Sequence, residues 1–62
     1  YNLNMNGANM VNADLSGSGL ENVNLYNSDL TGADLTGVSW TNVICPAGGN
    51  SDDNGNTCEN NL

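Results

Sequence analysis

Hydrophobic positions recur in this chain every five residues. Met5, Met10, Leu15, Leu20, Leu25, Leu30, Leu35, Trp40 and Cys45 occupy consecutive steps of that period without a break. A helix repeats near 3.6 residues and a flat strand at 2, so neither explains the spacing. Residues five apart on a helix point about 140° apart and share no face. The period therefore marks a repeat unit, which has to be settled before any other element is assigned. The positions around each centre are also regular. Two residues before it the chain is small or apolar, from Leu3 and Ala8 to Val38 and Val43. One before it stands a turn former, mostly Asn or Asp, until Ile44. Two after it stands Gly or Asn at every step from Gly7 to Asn42, the residues that best tolerate unusual backbone angles. The position directly after the centre varies freely, as an outward-facing site does.

Stretches such as Ala13-Asp14-Leu15-Ser16-Gly17 and Ala33-Asp34-Leu35-Thr36-Gly37 closely resemble the pentapeptide-repeat family, whose motif is A(D/N)LxX. The resemblance covers residues 1–45, nine units in register. It implies an all-β fold, a right-handed quadrilateral β-solenoid in which each pentapeptide is one side. Residues 1–45 then supply just over two coils. On that geometry equivalent residues of successive coils stack about 4.8 Å apart. Met5 lies under Leu25 and Cys45, Met10 under Leu30, Leu15 under Leu35, and Leu20 under Trp40. Leu3 joins this core from the second inward row, where small partners alternate with the large centres so that a narrow interior fills. Trp40 is too large for the middle of such a tube and is expected to plug its C-terminal end. Asn2, Asn22 and Asn42 stack at a turn position, where an amide ladder is expected.

The beat ends at residue 46. Residues 46–62 are rich in Gly, Asn and Asp and are read as an irregular C-terminal cap. Two cysteines in a short chain suggest one disulfide and an oxidising compartment; two free thiols, one of them in the core, are the alternative. Cys45 is core-facing and Cys58 follows thirteen residues later. A bridge between them closes a loop worth about 3 kcal/mol and folds the tail over the open end, next to Trp40. The segment also resembles the ending of some bacterial pentapeptide-repeat proteins. Within it, Asn50-x-Asp52-x-Asn54-Gly55-Asn56 has the spacing that opens a calcium loop. Asn50, Asp52 and Asn54 alternate so as to aim oxygens at one point, the Asn56 carbonyl follows, and Asp53 or Glu59 adds charge. The first ligand is Asn rather than Asp, and Asn61 stands where such a loop ends in an acid. The competing reading is a cap rich in Asx turns that satisfies its own backbone.

Charge narrows the function. The chain has no Lys, Arg or His against seven Asp and Glu, for a net charge of −7. That excludes a basic phosphate-binding surface and with it ordinary nucleic-acid binding. Anionic membranes repel such a chain, and no run is long enough to insert. Asp14 and Asp34 stack one coil apart, where two carboxylates can make an acid–base pair or a cation site. They are read instead as turn residues accepting backbone amides. With no His or Lys and no reactive-looking cysteine, an enzyme is not expected, nor a cofactor beyond the candidate calcium.

The first residue is Tyr1, which reads as a processed form or a fragment. Leu3 and Met5 are then expected to face solvent at an open solenoid end. The expected function is a non-enzymatic, extracellular structural or assembly module of bacterial type. Its partners would be copies of itself, stacked head to tail into a fibre, or the upstream part of a longer solenoid. A cell-surface adhesion module is the alternative. The best-understood members of the resembled family are acidic DNA mimics that bind gyrase. The charge here suits such an inhibitor, but about 10 Å of rod does not.

Overall fold

The computed structural model describes residues 3–62. Asn2, the first rung expected in the asparagine ladder, lies outside the described residues, as does Tyr1. The chain is almost wholly strand, turn and loop. Strands β1 (Leu3–Asn4), β2 (Gly19–Glu21), β3 (Val23–Asn24) and β4 (Ser39–Thr41) precede one 3-10 turn at Ser51–Asp53. β1 pairs with β3 and β2 with β4, both parallel, placing Leu3 opposite Val23 and Leu20 opposite Trp40. Single parallel bridges join Asn9 to Asp29, Asp14 to Asp34 and Asn24 to Ile44. All of these pairs are 20 residues apart, so the chain returns above itself after four pentapeptides. Backbone bonds tie the turns of chain together: Met5 N–H donates to the Asn24 carbonyl at 2.8 Å, and Leu15 N–H to that of Asp34 at 2.9 Å.

The corners account for the period. Gly7, Asn12, Asn22 and Asn42 have φ of 73°, 61°, 57° and 50°, and Gly17, Asn27, Gly32 and Gly37 share this left-handed conformation. At most corners the amide that follows closes a turn onto the centre three residues back, as Ala8 N–H does onto the Met5 carbonyl at 3.1 Å. A residue with φ > 0 in the third place of a tight turn is one of the roles for which Gly and Asn are selected. A second device holds each side. The side chains of Asn4, Asn9, Asp14, Asn24, Asp29 and Asp34 accept the backbone N–H two residues on. On the remaining side Gly19 and Ser39 stand at that position, and there the chain makes its longest strand pair, β2 with β4.

Burial increases toward the C-terminal end. Val23, Leu25, Leu30, Trp40, Val43, Cys45 and Cys58 are buried, while Met5, Met10, Leu15, Leu20 and Leu35 pack against them half-buried. Leu3 is 52% exposed, because its row has a neighbour above it, Val23, and none of the described residues below.

Two corner glycines separate backbone strain from crowding. A Cβ at Gly7 meets nothing, whereas one at Gly32 runs into the Asn12 side chain of the coil below. Gly7→Ala is expected to cost about 1–2 kcal/mol, the left-handed penalty alone. Gly32→Ala should cost more, until Asn12→Gly in the same chain brings it back to the Gly7 value. Urea denaturation of the variants measures both.

Candidate functional site

The repeat stops where its corner residue changes. Ala47 stands two residues after Cys45, in the place that Gly or Asn holds at every earlier unit. The left-handed conformation passes to Gly48 and Gly49, with φ of 97° and 83°. The chain then doubles back. Cys45 N–H donates to the Gly49 carbonyl and Ser51 N–H to that of Val43, each at 2.8 Å, and Ile44 bridges Asn50 antiparallel. Side chains of this return strand serve the coil beneath it. The buried Ser51 Oγ accepts Val43 N–H at 3.1 Å, and Asp52 Oδ1 accepts Asn42 N–H at 2.9 Å. They stand where carbonyls of a further coil would stand. The Cys45–Cys58 disulfide, with Cα atoms 5.3 Å apart, fixes the far end of the cap. Both cysteines are fully buried in the same core cluster as Trp40, which is 6% exposed. Trp40 itself lies one coil above Leu20. The Asn61 side chain donates to the Gly48 carbonyl, and Ala47 N–H donates to that of Asn61, which pins the tail.

The candidate calcium ligands have other partners. Asn50 Oδ1 accepts Asp52 N–H at 2.8 Å and caps the 3-10 turn, while Asp52 serves Asn42. The Asn54 amide group donates to the Thr57 carbonyl and to Asn60. Asn56 is exposed at a left-handed turn, and Glu59 sits on a Thr57 hydroxyl turn. Among the described residues no three His, Cys, Asp or Glu side chains form a group able to hold a metal. Asn50 instead extends the amide ladder. Its Nδ2 donates to Asn42 Oδ1 at 2.8 Å, and Asn42 Nδ2 donates to Asn22 Oδ1 at 2.7 Å. The upper rung comes from the cap, out of the 20-residue register, and no spacing in the sequence signals it.

The cap covers only part of the upper rim. In the first coil the amides of Met10, Asn12, Leu15 and Gly17 donate upward to Asp29, Thr31, Asp34 and Thr36. Leu30, Gly32, Leu35 and Gly37 are their equivalents one coil higher, and no described residue accepts from their amides. A groove runs along this rim between Ser28–Ala33 and Leu62. Ser28 Oγ and Trp40 Nε1 are buried without a hydrogen-bond partner among the described residues. The lower rim is open as well: Asn9 and Asp14 turn their carbonyls away from the coil above, and no described residue donates to them.

The acidic residues serve the turns. Asp14 and Asp34 bridge in parallel, as expected, and each accepts the N–H two residues on. The Ser16 hydroxyl and then its backbone N–H hold the Asp14 carboxyl below the usual carboxylate range, and Thr31 does the same for Asp29. Such a lowered folded-state value adds stability that is present above the unfolded carboxylate value of about 3.9 and lost as pH falls through the folded one. What these elements offer chemically is hydrogen-bonding edges and apolar end faces.

Two variants test these roles. Asn50→Ala should cost about 1–2 kcal/mol, through the lost cap and ladder bond, equally in EDTA and in calcium. A loss that appears only in calcium would support the ligand role. Asp14→Asn keeps the Oδ1 acceptor for the Ser16 amide. It should melt slightly lower than the parent chain at neutral pH, where the ionised carboxyl contributes, and lose less on acidification below about pH 4, so that the two converge. The family model for pentapeptide repeats matches residues 2–37, in eight copies. No curated protein and no solved structure matches the chain. The parallel pairing runs past the matched segment to Ile44. With in-register repeats over more than half its length, the chain belongs to the pentapeptide-repeat family, whose repeats imply a β-solenoid.

Proposed function

We propose that this chain is a non-enzymatic structural module of an extracellular assembly. It is a right-handed, four-sided solenoid whose N-terminal face is completed by another pentapeptide coil. That coil comes from a second copy stacked head to tail into a fibre, or from further units of a longer solenoid. The observation that carries this reading is the open lower rim: apolar Leu3 half in solvent and carbonyls at Asn9 and Asp14 with no donor among the described residues. An unpaired strand edge over apolar centres is a template for pairing, and solenoids leave such edges open only where a cap or another unit covers them. A coil of the same kind offers matching backbone groups and buries Leu3, Met5 and Met10 together. The disulfide supports an oxidising, extracellular setting. The dimensions of 25 × 23 × 20 Å count against a DNA mimic, which needs a rod.

Charged substitutions on the lower face test the reading. Leu3→Asp with Met5→Asp should abolish any assembled species seen for the parent chain by sedimentation and negative-stain microscopy. Monomers only, for the parent chain with and without a thiol reductant, would sink the fibre and leave the longer solenoid alone standing.

A further inference from the structure

The upper face fixes how a second copy must approach, and this inference rests on the stacking reading above. The chain has already begun its third layer. Leu25 N–H donates to the Ile44 carbonyl and Asn27 N–H to that of Pro46, both at 2.9 Å, so Val43–Pro46 lie above Val23–Tyr26. An incoming first coil therefore has to start one side further on, with its Asn4–Asn6 segment above Asp29–Thr31. The backbone groups match there. In the second coil, Asn24 and Tyr26 carbonyls accept Met5 and Gly7 amides from beneath. Asn4 and Asn6 are the same positions one coil lower, and no described residue donates to their carbonyls. Set on the upper rim, they would accept from Leu30 and Gly32. Asn9 and Val11 would follow onto Leu35 and Gly37.

Continued round the tube, the same register brings the incoming Gly19 above Ile44. That place is taken: Asn50 bridges Ile44 there, and Ser51 and Asp52 hold Val43 and Asn42. Two chains cannot occupy it. The capped end refuses a second coil although most of its rim is unpaired. The return strand is held down by its own hydrogen bonds and by one covalent link, Cys45–Cys58.

We propose that the upper rim from Ser28 to Trp40 is the docking surface for the first coil of a second copy, and that the Cys45–Cys58 cap is a thiol-released stop on that docking. A dithiol reductant supplies two electrons and two protons. The S–S bond breaks to two cysteine thiols, and the dithiol leaves as its own disulfide. Residues 46–62 then peel from the side above Val43, Trp40 loses its cover, and the rim becomes continuous for a second copy.

The test compares three samples at one concentration: the oxidised chain, the chain with dithiothreitol, and a Cys58→Ser variant. Pelleting and negative-stain microscopy report stacking, Trp40 fluorescence reports the cap, and far-UV circular dichroism reports the solenoid. The expected result is monomer in the first sample. The other two should show a Trp40 emission that red-shifts before stacking begins, then fibres, with the β spectrum retained throughout. Fibres in all three would overturn the stop while leaving the stacking function standing. Monomers in all three, with the cap demonstrably open, would overturn both. Loss of the β spectrum on reduction would also overturn the stop, since the cap would then be part of the fold rather than a gate. Asn50→Ala with Ser51→Pro frees the return strand with the disulfide intact, and it should form fibres without reductant.

Discussion

A left-handed backbone corner every fifth residue lets this chain bend four times and arrive back above its starting point. Each corner needs a residue that takes positive φ without strain, and Gly or Asn supplies it from Gly7 to Asn42. Everything else follows from that return. Equivalent residues stack, so their backbone amides and carbonyls pair in parallel, and so their inward side chains form continuous columns. Parallel strands ordinarily need long crossovers, often helical. Here the crossover is three more pentapeptides of the same repeat, and the connection contributes core rather than only spanning a distance. Where the corner residue becomes Ala47, the tube stops within two residues.

Cohesion in this molecule is almost free of charge pairing. There is no Lys, Arg or His side chain to oppose seven carboxylates. Asp14 and Asp29 instead draw their partners from neutral hydroxyl and amide groups, which stabilise the ionised form. Asparagine does much of the remaining polar work, at corners, in Asx turns and in the ladder from Asn22 through Asn42 to Asn50. A polar uncharged side chain suits stacked equivalent positions, because like charges placed one above another repel while amides donate and accept in turn. Glu21 opposite Thr41 follows that rule, whereas Asp14 opposite Asp34 stacks two acids, each accepting the N–H two residues on.

The sequence made the tube legible and left the cap largely opaque, for one physical reason. Leu20 opposite Trp40, Asp14 opposite Asp34 and Asn22 under Asn42 all follow from adding 20 to a residue number. The disulfide was legible too, because a short chain with two cysteines, one core-facing and one in the tail, suggests a single bridge. Past Ala47 the pairing turns antiparallel, so register no longer propagates. Asn50 and Asp52 show an alternation that metal loops and return strands share. What distinguishes the two is which backbone N–H groups lie opposite, and that depends on the reversal at Gly48 and Gly49.

The disulfide also sets how the molecule carries load. A pull applied through Leu62 meets Cys58 four residues in and passes across the sulfurs to Cys45. The loop between them is shielded from tension. Force therefore enters the tube at the last parallel row, where Ile44 lies on Asn24. Strands loaded there separate row by row, like tape lifted from an edge, rather than sliding against all their bonds together. The tube then yields in small steps from that end, and the bonds of the cap to Val43 and Asn42 open with the first of them.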